Sequence, residues 1–154
     1  MSDDEIDLLR HGLRVMLGRK ELAADVFYAN LFEIAPQTRS LFSDDIAGQT
    51  EKVMFALGAV VGQIHDLDAC RVMTHDLAVR HVAYGVAPDH YALVGRAVMR
   101  TLDMVLDDDF TPEMDAAWRK AYDAIADAMI GSAYPEFPRP PGGAKAAHAA
   151  QGAA

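Results

Sequence analysis

Apolar side chains recur along this chain three and four residues apart, the period of a helix with one covered face. No stretch alternates every second residue as a half-buried strand requires, and no Asn-Gly or Asp-Gly hairpin turn occurs. "SDDEIDLL" opens with a capping-box arrangement, Ser2 and Glu5, and leads into Ile6, Leu9, Leu13 and Leu17. A second helix is predicted from about Lys20 to Ile34. The segment from Ile46 to Ile64 carries Val53, Met54, Leu57, Val60, Val61 and Ile64 as one broad stripe. Another helix is predicted over roughly Asp68 to Val82. A longer one carries Tyr91, Val94, Val98, Leu102 and Val105, and the last bears Met114, Trp118, Ala121, Tyr122, Ile125 and Met129, with Gly131 as its stop.

Prolines mark the joints. Pro36, Pro88 and Pro112 each begin a helical segment, where the missing N–H costs nothing, and Thr111 stands ready as the cap before Pro112. The reading is an all-α chain of six to seven helices, with a folded domain over 1–133 and a disordered Pro/Gly/Ala-rich tail over 134–154. His148 lies in that tail and is no candidate ligand.

Composition narrows the function classes. With 51% hydrophobic and 24% charged residues, the 154-residue chain can bury one core and keep a wettable surface. Fourteen basic against twenty-three acidic residues give a net charge of -9, which opposes binding to a phosphate backbone. No apolar run is long enough to span a membrane, and the acidic start "MSDDEIDLLR" is unlike a basic leader. The expectation is a cytoplasmic protein with no nucleic-acid or membrane partner. Cys70 is the only cysteine, so there is no thiolate cluster and no intramolecular disulfide.

Common enzyme signatures are missing: no Gly-x-Gly-x-x-Gly, P-loop, His-Glu-x-x-His or paired Glu-x-x-His, and no serine in a nucleophile elbow. In "HDLDAC" and "THDLAV" each histidine has a carboxylate beside it, but adjacent helical residues diverge by about 100° and cannot converge on one ion. A metal that needs one protein ligand is a better match, and haem iron is such a metal, because the porphyrin supplies four nitrogens. "LAVRHVAYGV" offers His81 for that role, with Leu77 and Met73 on its own stripe; the alternative is a core histidine with satisfied hydrogen bonds. "GQTEKVMFALGAVV" offers an opposite wall, with Gln49 and Val53 four apart on one face, and Tyr28 and Phe42 are aromatics available to pack on a macrocycle.

Five elements, "FYANLFEIAPQTRSLF", "QTEKVM", "RHVAYGV", "HYALVG" and "FTPEMDAAWRKAY", occur in the order and at the spacing of the bacterial single-domain globins. Over about residues 5 to 131 the chain resembles that family, the haem domain of flavohaemoglobins and, in places, neuroglobin. The resemblance implies a globin fold around haem b (iron protoporphyrin IX), with His81 as the metal ligand. It implies Phe42 stacked on the haem, Gln49 and Tyr28 as distal hydrogen-bonding groups, Val53 over the iron, Lys52 beside the haem edge and Leu77 in the proximal wall. Tyr84 is a further residue near that wall, to which no role is assigned.

Two departures from the family's range matter. The distal residue is Gln rather than His, which implies a five-coordinate ferrous iron. After Tyr122 the chain reads "DAIADAMIGSA", without the glutamate that flavohaemoglobins direct toward the proximal side. The resemblance thus implies reversible binding of dioxygen and other diatomic gases by a monomer or homodimer. The rival readings are a nitric oxide dioxygenase or weak peroxidase served by a separate reductase, since no flavin or nicotinamide domain is expected here, and a haem-free interaction module of globin fold. Met54, Leu57, Val98, Trp118 and Met129 are read as core, and His65, His75 and His90 as exposed.

Overall fold

The computed structural model describes residues 1–42, 45–83 and 85–134, apart from the side chains of 46, 47, 50, 51, 53, 54, 57, 67 and 68. Met54, Leu57, Tyr84 and the tail residues 135–154, expected above as core, proximal neighbour and disordered end, therefore lie outside the described residues. Six α-helices follow one another: α1 (Asp3–Gly18), α2 (Lys20–Ile34), α3 (Ile46–Gln63), α4 (Leu67–Ala83), α5 (Pro88–Leu106) and α6 (Pro112–Ala133). Short 3-10 turns cover Pro36–Leu41 and Asp107–Asp109, and no strand occurs among the described residues. None of these helices is long and apolar enough to cross a membrane.

The helix starts are chemical. Ser2 Oγ accepts from the Glu5 amide at 3.1 Å while Glu5 accepts from the Ser2 amide at 2.8 Å, closing the expected capping box. Asp45 caps α3 through the Gly48 amide (3.0 Å), and Asp66 caps α4 through the Ala69 amide (3.1 Å). Thr111 caps α6, with Pro112 in its first turn. The end of α6 differs from the sequence reading. Gly131 does not stop the helix, which runs to Ala133 and closes with the Tyr134 amide on Ile130 O at 2.8 Å. A glycine inside a helix costs only about 1 kcal/mol, and the burial of Met129 and Ile130 outweighs it.

Two apolar clusters hold the helices. The larger joins α1, α5 and α6 through Leu9, Leu13, Leu102, Val105, Met114 and Trp118, with Val61 and Ile64 from the end of α3. Val98 packs against it while only partly buried. The smaller gathers Ala78 of α4, Tyr91 of α5, and Ala126, Met129 and Ile130 of α6, with Leu77 and Val86 against it. Tyr122 touches both. Buried polar links add register between α2 and α5. Asn30 donates to Thr101 Oγ1 at 3.2 Å, and Thr101 donates onward to Ala97 O at 2.7 Å.

Where α1 meets α6 the backbone of Gly12 lies under the indole of Trp118. A Cβ at position 12 would stand 2.7 Å from Trp118 Nε1 and 3.3 Å from Cε2. The ring is 3% exposed and has no room to yield. Gly12→Ala is expected to lower stability by about 1–3 kcal/mol, the cost of overpacking a filled core, measured as a shift in the urea midpoint at constant slope.

Candidate functional site

His81 stands in the last turn of α4. Thr74 and Ala78 of this helix are fully buried, while Met73, Leu77 and His81 form a half-buried flank beside them. The four-residue step that puts these three on one stripe also brings the His81 ring over the carbonyl one turn earlier. His81 Nδ1 lies 2.6 Å from Leu77 O. A carbonyl oxygen only accepts, so Nδ1 carries the proton, and the neutral tautomer leaves its lone pair on Nε2, the form in which imidazole binds metal. The ring also stacks on Tyr91 of α5 (centroids 6.3 Å apart, planes at 27°).

The corner after α4 is closed by backbone geometry. Gly85 has φ +86°, its amide donates to Val82 O at 3.0 Å, and the Val86 amide donates to His81 O at 3.0 Å. Left-handed glycine with this pair of bonds is the Schellman ending of a helix, and a side chain at position 85 would strain it. Beyond the corner, Ala87 N–H donates to His90 Nδ1 at 2.9 Å. His90 is therefore half-buried and serves the start of α5, contrary to the exposed position expected; His65 and His75 are exposed as expected.

Behind the histidine lies a group of tyrosines. Tyr122 donates its hydroxyl to Tyr91 O at 2.5 Å, and Tyr134 donates to Val86 O. Burial, with Tyr134 nearby, pushes the Tyr91 phenol up to about 12. Burial, with Tyr91 and Asp123 adding to it, raises Tyr122 further. Tyr134 and the tyrosine bonds were not legible as site features: a tyrosine at a helix end looks the same whether its hydroxyl meets water or a carbonyl of another element.

The second group of expected residues is aromatic. Tyr28 of α2 is buried and its hydroxyl is shut off from solvent. Its ring meets Phe42 edge-on at 5.5 Å and stacks on Phe32 at 5.8 Å, while Phe27 approaches it at 5.2 Å. Phe42 ends the Pro36–Leu41 turn, where Arg39 Nη1 donates to its carbonyl at 3.2 Å and covers the Phe32 ring at 5.4 Å. Tyr28 and Phe42 are thus brought together, as are Leu77 and His81. On α3, Gln49 is half-buried and Lys52 exposed; the Val53 side chain lies outside the described residues. Helix α3 packs on α4, the helix that carries His81.

Comparison with known proteins identifies the class. Residues 25–129 match the globin family. The chain belongs to the globin family. It is 32% identical to "Flavohemoprotein B" of Dictyostelium discoideum over 106 residues (68% of this chain, 25% of that protein). It is 27% identical to the "Flavohemoprotein" of Bacillus subtilis (strain 168) over 134 residues (85% of this chain, 34% of that protein). The chain thus spans about a quarter to a third of these relatives. The structure of a bacterial globin from Campylobacter jejuni superposes with a TM-score of 0.76 over 87% of this chain and 97% of that one, at 23% identity. The all-α reading and the globin resemblance are both borne out.

Globin membership carries haem binding as its general function, and the residues present fit the group. A single imidazole, made a donor at Nδ1 by its own helix, suits a metal whose other ligands come from a macrocycle. No cluster of three or more His, Cys, Asp or Glu able to hold a bare metal ion occurs among the described residues.

The tyrosines give a testable pH dependence. The folded protein keeps Tyr91 protonated up to about 12, whereas an unfolded tyrosine ionises near 10. Between those values the unfolded chain binds fewer protons, so stability is complete below about pH 10 and falls as pH rises toward 12. Absorbance titration should show late tyrosinate formation, and Tyr91→Phe should flatten the fall in urea-measured stability over that window.

Proposed function

We propose that this chain is a haem protein that reversibly binds a diatomic gas, dioxygen foremost, with His81 as the axial ligand. The observation that carries the reading is the 2.6 Å contact from His81 Nδ1 to Leu77 O, which directs the ring's lone pair to Nε2. When bound, haem b would supply a ferrous iron able to bind the gas reversibly, and His81 Nε2 would hold it. Phe42 and Leu77 would be apolar groups for the macrocycle, and the family resemblance assigns Val53 and Lys52 to the same pocket. The mutual packing of the Tyr28, Phe32 and Phe42 rings supports an apolar wall on that side.

Tyr28 O–H and the Gln49 amide are the donors assigned to the gas. A hydrogen bond from either favours a ligand that carries negative charge, and such charge-assisted bonds contribute about 1.5–3 kcal/mol each. On the other side, the Leu77 carbonyl accepts from His81 Nδ1–H, which leaves Nε2 as the nitrogen that would hold the iron. The nitric oxide dioxygenase reading keeps the same residues and adds a separate reductase; the flavohemoproteins among the relatives are what supports it.

The haem-reconstituted chain should show a Soret band. His81→Gly is expected to lose the histidine-ligated ferrous spectrum and to regain it with added imidazole; a spectrum unchanged by the substitution overturns the assignment. Tyr28→Phe should speed dioxygen release by about tenfold to a hundredfold, read by stopped flow, from the loss of one such bond. An unchanged off-rate removes Tyr28 from the distal role.

A further inference from the structure

Across the seam between α2 and α5, one buried amide is well bonded on one side and poorly served on the other. Thr101 commits its hydroxyl proton to Ala97 O at 2.7 Å, so its oxygen can only accept from Asn30. The group that Asn30 turns toward α5 is therefore its NH2, with one proton on Thr101 Oγ1 at 3.2 Å. The other proton meets the sulfur of Met104, 3.6 Å from Asn30 Nδ2. Asn30 is 3% exposed, and a thioether is a weak acceptor for a donor that buried. Arg100 meets Glu33 across the same seam at 3.5 Å, but in the open, where an ion pair contributes little.

Met104 itself stands at the surface. It is 55% exposed, whereas Met16, Met99, Met114 and Met129 are buried and Met73 is half-buried. An exposed thioether is open to two-electron oxygen transfer, and the product, a sulfoxide, is polar. In a core that added oxygen would disrupt packing. At position 104 it has solvent on one side and the poorly served Asn30 proton on the other. The unbranched side chain, with its three rotatable bonds, lets the oxygen turn to that proton. The contact then changes from N–H···S to N–H···O, a stronger bond across the same seam.

We propose that Met104 is a site of reversible sulfoxidation, and that the sulfoxide oxygen becomes the acceptor for Asn30 and tightens α5 against α2. The oxygen donor is a hydroperoxide. A sulfur lone pair takes its terminal oxygen as the O–O bond breaks, and the proton of that oxygen passes to the leaving oxygen, which departs as water or an alcohol. Sulfur loses two electrons and the peroxide gains them. A dithiol reductase restores the thioether: its two thiols become a disulfide and the oxygen leaves as water. Neither His81 nor any cofactor takes part. Because α2 carries Tyr28 two residues before Asn30, the state of Met104 bears on the helix that places that ring.

The test treats the full haem-loaded chain with hydrogen peroxide, stops the reaction with catalase and follows each methionine by peptide mass mapping. Met104 is expected to gain one oxygen at least about tenfold faster than Met16, Met99, Met114 and Met129, whose burial excludes the oxidant. The oxidised chain should melt about 2–4 °C above the parent, the shift of one ordinary hydrogen bond at this chain length, and a methionine sulfoxide reductase should reverse it. Met104→Leu, treated in parallel, reports oxidation elsewhere and should show no rise. Met104→Gln puts an amide oxygen where the sulfoxide oxygen would stand and should melt higher than Met104→Leu with no oxidant present. In Asn30→Ala, Met104 should still oxidise, but without the rise. A Met104 that oxidises no faster than the buried methionines overturns the proposal, and so does an oxidised chain that melts at or below the parent. Equal melting of Met104→Gln and Met104→Leu also overturns it, and that comparison decides the matter should Asn30→Ala fail to fold.

Discussion

A backbone carbonyl can only accept, and through Leu77 O that asymmetry governs the chemistry of His81. The 2.6 Å contact costs the helix nothing, since the carbonyl belongs to the histidine's own preceding turn. It assigns the ring's proton to one nitrogen and its lone pair to the other. On the proposed reading, that tautomer leaves Nε2 for the iron, and the remaining architecture holds α4 in place. The smaller cluster fastens α4 to α5 and α6, the stacked Tyr91 ring limits rotation of the imidazole, and the glycine-terminated corner fixes where the helix ends.

The fold was legible because its determinants are local and periodic. Capping by Ser2, Thr111 and the prolines, and apolar stripes of helical period, gave helix positions that agree with the structure to within a few residues. The end of α6 was not legible, because Gly131 signals a stop only when nothing beyond it is anchored, and Tyr134 is anchored by a residue far away in sequence. The faces of α4 were also hard to read from periodicity. Val72 and Val79 point to water (69% and 54% exposed) while Ala78 and Thr74 are buried, so apolar residues encircle this helix and the buried side cannot be told from hydrophobicity alone.

The site divided in the same way. His81 with Leu77, and Tyr28 with Phe42, were placed together by spacing and by family likeness, and the contacts within each pair follow from one helical turn or from the turn after α2. The tyrosine bonds behind His81 were invisible. Tyr122 to Tyr91 O and Tyr134 to Val86 O are contacts between a side chain and a distant main chain, and main-chain acceptors leave no mark in sequence. The same blindness hid the role of His90, whose ring completes the first turn of its own helix.

The separation of the two clusters has an optical consequence. The single tryptophan of the chain, Trp118, belongs to the larger cluster, whereas His81 flanks the smaller one. Its emission wavelength therefore registers first the union of α1 with α6, whereas a pigment held at His81 would register the corner after α4.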